Sequence, residues 1–487
     1  MSTLTLTKTG NFINGKSEKA SKLTKEVISP IDGSVLTNVV LSSSKDLDEA
    51  VNAAKAALPA WSSKTLKQRV QVLYRFRQLL EDNIEELSEL VYLENGKTKD
   101  EAKAEVLKGI ELTEFACSLP QFINDEVQMV SRGIECRTTH VPVGVVASIV
   151  PFNFPAMVPM WTIPNAIALG NCMILKPSEQ VPMTAYRIAE LFSEAGLEDG
   201  ILNIVNGEKE IVEAICDHPG IEAVTFVGST NVAKIVYRRA TYNYKRCISL
   251  GGAKNHLFVL PDASIDMAAN IVSSMAGSAG QRCMAASVLV MVGKNDKMID
   301  AICEQSRNLK PGTDELGTVI SKESKERIEN YITQAEEAGA KILVDGRNTI
   351  VPGLEGGFYV GPTVIDQVTP DMNIATEEVF GPVLSIIRTN DVDEAIAIEN
   401  NSAYGNAAAV FTENGSMANY ILDKASAGMV GVNVGVPVPR EPFSFGGWND
   451  SSFGANDITG KNSISFWTKL KKRTTKWNAE DWTDWMS

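Results

Sequence analysis

Two α/β lobes, each built on a doubly wound parallel sheet, with a small oligomerisation arm set aside, are the fold class this sequence predicts. Short apolar runs at 145–150, 173–175, 202–205 and 223–227 alternate with helical stretches, the pattern of parallel βαβ units. A second alternation starts after Gly251 and runs to about 436. At 487 residues the chain also exceeds the size, roughly 250–300 residues, at which a single core stops growing.

The elements follow in order. Residues 11–41 read as short strands broken by Gly and Pro, and 46–58 and 67–93 carry the apolar spacing of long helices, with Val70, Leu73, Leu79 and Leu80 among the apolar positions. The four strands of the first lobe come next, with ligand sites expected at their carboxyl ends. In the second lobe, helices are expected over 265–279 and 322–339 and strands over 288–292 and 383–388. Residues 126–140 and 464–486 alternate or are rich in aromatics and fit neither sheet, which suggests an intersubunit arm or a surface hairpin.

Composition excludes several functions. Apolar residues are 44% and charged residues 22%, values of an ordinary globular chain, and the net charge of −14 argues against a nucleic acid or an anionic membrane surface as partner. No apolar stretch approaches the length of a membrane-spanning helix. The first sixteen residues lack a basic stretch followed by an apolar run, so a cytoplasmic location is expected. Seven scattered cysteines without a C-x-x-C pair, and only three histidines (140, 218 and 256), point to neither disulfides nor a metal site.

One thiol stands apart. Cys283 lies in Gly277-Ser278-Ala279-Gly280-Gln281-Arg282-Cys283-Met284-Ala285, between a helix and a strand, where small residues permit a tight turn. The Arg282 charge beside it is expected to favour the thiolate. Alone this is weak, because most cysteines are inert small hydrophobes. Three strand ends add to it. Pro151-Phe152-Asn153-Phe154-Pro155 supplies an amide donor in Asn153, Lys176-Pro177-Ser178-Glu179 a cation and a carboxylate suited to ribose hydroxyls, and Gly228-Ser229-Thr230 the opening of a helix whose amides can face a pyrophosphate.

Together, in this order, these segments resemble the aldehyde dehydrogenase superfamily. The resemblance runs from residues 11–15 through Glu377-Glu378-Val379-Phe380-Gly381-Pro382 to Phe445-Gly446-Gly447-Trp448, and the absence of G-x-G-x-x-G agrees with it. It implies Cys283 as nucleophile and Asn153, with the Cys283 amide, as oxyanion donors. It implies NAD as cofactor, held by Phe152, Lys176, Glu179, Gly228, Ser229, Glu378 and Phe380, with Glu179 disfavouring a 2′-phosphate. It also implies an NAD-binding domain over 8–125 and 143–252, a catalytic domain over 253–440, an arm over 126–142 and 460–487, and a homo-oligomer, dimer or tetramer.

A departure narrows the activity. Where hydrolytic members carry a water-activating glutamate at the head of E-L-G-G-K, this chain reads Ser249-Leu250-Gly251-Gly252-Ala253-Lys254-Asn255-His256, and a second glutamate near the C-terminus aligns with Lys461. Serine cannot act as general base near pH 7, whereas a thiol needs less help than water as nucleophile. With Gly435-Val436-Pro437-Val438-Pro439, this is similar to the branch that oxidises methylmalonate and malonate semialdehydes and passes the acyl group to coenzyme A with loss of carbon dioxide. The substrate implied is a small aldehyde with a carboxylate, held by Arg282 and by Lys108, which stands where an arginine is expected; Arg440 is an alternative partner. Two rivals stay open. A hydrolytic enzyme on another anionic aldehyde would make NADH at full rate without coenzyme A, and a silent homologue would make none.

Overall fold

The computed structural model describes residues 9–18 and 23–476, and its architecture is organised by two large sheets. The first has the strand order Lys16–Glu18, Asn11–Ile13, Leu202–Ile204, Cys172–Lys176, Val145–Ile149, Ala223–Val227, Arg246–Leu250, Ser452–Phe453. Its central strands are parallel and buried almost throughout, as expected of apolar runs covered on both faces by helices. Register brings their carboxyl ends level: Ile149 pairs with Lys176 on one side, Phe226 with Ile149 on the other, and Val227 with Leu250. The segments beginning at Val150, Pro177, Gly228 and Gly251 therefore emerge along one edge.

The second sheet runs Lys341–Val344, Thr363–Asp366, Val383–Thr389, Ala286–Val292, Asn255–Val259, Ala407–Phe411, Met429–Val432, all parallel except the first. Only Gly251, Gly252, Ala253 and Lys254 separate the last parallel strand of the first sheet from strand Asn255–Val259, an interior strand of the second. That short crossing sets the carboxyl edge of one sheet against the amino edge of the other. The sequence pointed to carboxyl ends in the first lobe; in the second it is residues ahead of the strands, Cys283 and Asn255 among them, that lie at this crossing.

Helices start where side chains satisfy their first amides. Ser43 with Asp46, Thr65 with Gln68 and Thr98 with Glu101 form capping boxes for helices Ser44–Ser63, Leu66–Asp82 and Lys99–Phe122. The helical stretch read over 67–93 is broken at Asn83, whose side chain donates to the Leu79 carbonyl (2.7 Å) and ends one helix before Ile84–Asn95 begins. The helix expected over 265–279 stops at Ala276, and Ser278 and Ala279 turn left-handed (φ 49° and 51°).

Each sheet has its own apolar core. Trp61, Phe76, Phe192 and Trp467 anchor the first, with the Phe76 and Phe192 rings stacked at 3.6 Å, and Phe258 and Phe411 lie in the second. The segment expected as an arm forms a separate sheet, Thr468–Lys476 pairing antiparallel with Ile134–Pro142, and that strand with Val127–Ser131, which is exposed along its whole length. Residues 477–487 of the arm lie outside the described residues.

Candidate active site

Cys283 sits three residues ahead of strand Ala286–Val292, at the amino edge of the second sheet. Its backbone carbonyl is fixed twice, accepting from Asn255 Nδ2 (2.9 Å), which opens the adjacent strand, and from Asn406 Nδ2 (2.8 Å), just ahead of the next strand over, Ala407–Phe411. The half-buried side chain lies between two openings. One is a cavity of about 1290 Å³ that also touches Phe154, Met157, Trp161, Arg282, Val436 and Phe445; the other is a narrow recess shared with Glu378 and Phe380.

Burial pushes the Cys283 thiol up to about 12, Glu378 adds to the rise, and local backbone hydrogen bonds and Arg282 pull the other way. The expected help from Arg282 thus has the right sign but is outweighed, and the thiol rests protonated at neutral pH. Ser278, Ala279 and Gly280 (φ 70°) form a left-handed turn before it, and at Gly280 no Cβ fits, because it would lie 2.1 Å from the Gly381 carbonyl.

Asn153 is buried at the carboxyl edge of the first sheet, and its Nδ2 donates to the Gln281 carbonyl (2.9 Å), tying it to the Cys283 loop. Two hydrogens sit on that nitrogen, so one remains for a ligand oxygen. Lys97 Nζ donates to the Asn153 carbonyl and to Glu105, whose other oxygen accepts from the Ala156 and Met157 amides (2.7 and 3.0 Å) at the start of helix Met157–Ala168. Burial lowers the Lys97 pKa while Glu105 opposes that.

The residues expected to hold a dinucleotide lie at the carboxyl ends of first-sheet strands, with Glu378 and Phe380 ahead of strand Val383–Thr389. Lys176 Nζ contacts Glu179 (3.1 Å), and burial lowers the Lys176 pKa. Glu179 is held below its ordinary range: burial acts upward, but Lys176, a backbone hydrogen bond and Lys25 (3.9 Å) prevail. Ser229 caps helix Thr230–Tyr242, is exposed, and makes no side-chain capping bond. Gly228 is packed over the Phe226 ring, where a Cβ would lie at 2.6 Å. From the second sheet, Glu378 accepts from the Ala253 amide (2.8 Å), and burial raises it to about 7 against the pull of that bond and of Lys254. A Cβ on Gly252 would come within 2.4 Å of Glu378 Oε2. Phe152 and Phe380 meet edge to face across the cleft with centroids 6.0 Å apart. An exposed hydroxyl at a helix N-terminus, a lysine and carboxylate pair and a facing carboxylate suit an uncharged ribose and a diphosphate.

The expected substrate residues both line the large cavity, and both are already bonded to carboxylates. Arg282 contacts Glu101 (3.0 Å); Lys108 contacts Glu441 (2.8 Å) and Glu111 (3.0 Å). Arg440 also lines the cavity and makes no ion pair among the described residues. Ser249 is fully buried in strand Arg246–Leu250, 3.4 Å from Cys247 Sγ. His256 is buried and pushed down to about 4 by desolvation and by Lys254, so it stays neutral. Among the described residues, no three His, Cys, Asp or Glu cluster as metal ligands, and no helix is long and apolar enough to cross a membrane.

Sequence reading missed Lys97, Glu101, Glu105, Gln281 and Asn406. Two of these had a signal: Glu101 and Glu105 recur with the predicted Lys108 at helical spacing on Lys99–Phe122. Asn406 had none, since nothing in its own neighbourhood points to a carbonyl 123 residues away.

A thiol at the seam of two α/β sheets, with an amide donor tied to its loop and Glu378 in the recess beside it, defines the class. A sequence profile described as the aldehyde dehydrogenase family matches residues 17–473, and the chain belongs to that family of oxidoreductases. Among its relatives is a malonate-semialdehyde dehydrogenase of Lacticaseibacillus casei, 45% identical over 96% of both chains. Another is a malonate-semialdehyde dehydrogenase of Pseudomonas aeruginosa, 42% identical over 96% of both. Similar solved structures include a methylmalonate-semialdehyde dehydrogenase from Oceanimonas doudoroffii, with TM-score 0.96 and 41% identity over 97% of this chain and 99% of that one. A protein from Sinorhizobium meliloti 1021 assigned to the same activity and complexed with NAD has TM-score 0.95 and 44% identity over 96% and 98%.

Proposed function

We propose that this protein oxidises malonate or methylmalonate semialdehyde with NAD and transfers the acyl group, with decarboxylation, to coenzyme A. The observation that carries the acyl transfer is Ser249, an inert hydroxyl where hydrolytic relatives need a carboxylate. Of the carboxylates on the cavity wall, Glu101, Glu105, Glu111 and Glu441 are each paired with a cation, and Asp457 accepts from Asn462.

In this reading Cys283, once ionised, adds through sulfur to the aldehyde carbon, and the carbonyl oxygen takes up the charge. Asn153 Nδ2 and the Cys283 amide donate to that oxygen. Bound NAD accepts the hydride from the same carbon; Lys176, Glu179, Ser229, Glu378, Phe152, Gly228 and Phe380 hold it. The product on Cys283 is a β-carboxy thioester. Breaking its bond to the carboxylate carbon releases carbon dioxide, and the electron pair stays on the α-carbon, which then takes a proton. The thiol of coenzyme A attacks the thioester carbon, and Cys283 leaves as thiolate. A cavity of about 1290 Å³ exceeds what the aldehyde needs and leaves room for an acyl acceptor. Arg282 holds the substrate carboxylate beside the nucleophile, with Lys108 behind it. Residues 8–125 and 143–252 serve as the cofactor domain and 253–440 as the catalytic domain, while the sheet formed by 126–142 and the C-terminal segment from 460 joins subunits.

The test is steady-state NADH production from both semialdehydes, with and without coenzyme A, with products weighed by mass spectrometry. Turnover that requires coenzyme A and yields acetyl- or propionyl-CoA supports the reading. Free acid formed equally fast without it refutes the acylating half.

A further inference from the structure

Arg282 does not reach the cavity as a free cation. Its Nε donates to Ser278 Oγ (3.2 Å) and its Nη2 to Glu101 Oε1 (3.0 Å). Its Nη1 lies over Gly277, where any Cβ would come within 2.2 Å of that nitrogen. The same Glu101 oxygen accepts from the Ser278 amide (2.6 Å), the first residue of the left-handed turn that leads to Cys283. The other Glu101 oxygen is fixed by the Thr98 amide and hydroxyl (both 3.3 Å) at the start of helix Lys99–Phe122. One carboxylate thus binds a helix terminus, a strained turn and a guanidinium.

We propose that Glu101 is a positioning residue for substrate recognition, aiming the Arg282 guanidinium so that its remaining N–H groups meet the substrate carboxylate. This rests on the reading of Arg282 as the partner of that carboxylate. The side chains of Arg282 and Glu101 are 25% and 20% exposed, enough for a small ligand to reach them from the cavity. A guanidinium binds a carboxylate through a planar fork, so its orientation decides the strength of the contact as much as its charge does. Glu101 brings no attraction of its own, since its charge would repel the substrate. The effect it exerts through Arg282 is therefore confined to aldehydes that carry a carboxylate.

The experiment compares malonate semialdehyde with propanal, an uncharged aldehyde of the same carbon number, on Glu101→Ala, Glu101→Gln and Arg282→Ala. In Glu101→Ala, KM for the semialdehyde rises about tenfold, kcat changes little, and both constants for propanal stay near wild type. Glu101→Gln keeps an acceptor for Arg282 and Ser278 and restores most of the loss. Should the alanine variant not fold, Glu101→Asp, which keeps the charge but draws it back by one methylene, gives the same split in smaller measure. Equal losses on both aldehydes mean that Glu101 only braces the Cys283 turn, and no loss on either overturns the proposal outright. Arg282→Ala separates the layers: if it spares the semialdehyde KM, the Arg282 assignment falls and Glu101 with it; if it raises that KM while Glu101→Ala does not, Glu101 alone is wrong.

Discussion

Replacing Lys97 by Met tests the polar knot under Asn153. Lys97 and Glu105 are 2% and 1% exposed and face each other inside the protein. At an effective dielectric near 20, unit charges about 3 Å apart attract by on the order of 5 kcal/mol. Losing one partner of such a pair costs roughly 3–5 kcal/mol, because the other stays buried and charged. Two amides still bond Glu105, so the lower half of that range is expected. Urea unfolding followed by tryptophan fluorescence reads the loss. Adding Glu105→Gln removes the stranded charge while keeping an oxygen for the Ala156 and Met157 amides. The double variant should recover all but about 1 kcal/mol, the value of the missing bond to the Asn153 carbonyl. A single variant that loses under about 1 kcal/mol, or a double variant no more stable than the single, would refute the reasoning.

Other expected outcomes follow from the same geometry. Burial raises Glu94 from its ordinary 4.5 to about 7, where it accepts from the Met183 and Thr184 amides. A folded pKa above the unfolded one gives stability that is fully present below pH 4.5 and lost as pH rises through 7, about 3 kcal/mol in all. Urea midpoints between pH 5 and 8 should accordingly fall less steeply in Glu94→Gln than in wild type, and parallel slopes would contradict this. Gly252→Ala puts a Cβ within 2.4 Å of Glu378 Oε2 and should weaken NAD binding about tenfold by fluorescence titration; unchanged binding would remove Glu378 from the cofactor site. Ser249→Glu should raise coenzyme-A-independent turnover by about tenfold or more if a missing base is what excludes water. No gain would place the cause in access instead.

The two alternations of strand and helix were legible because a strand buried on both faces must be apolar throughout, and the runs at 145–150 and 223–227 correspond to buried strands. Cys283, Asn153, Glu179 and Ser229 stood out in the sequence because each lies just beyond a strand or helix end, and Lys176 because it closes a strand. The serine at 249, on which the proposed acyl transfer rests, was also visible in the local sequence. Tertiary structure decided what surrounds these residues. It set the amino edge of the second sheet against the carboxyl edge of the first, paired Lys108 with Glu441 across 333 positions of chain, and held the Cys283 carbonyl by Asn255 and Asn406. It also left the Cys283 thiol protonated despite its arginine neighbour. Sequence reports which groups a short stretch can offer; which of them meet, and how far each is removed from water, depends on contacts between segments that no local pattern encodes.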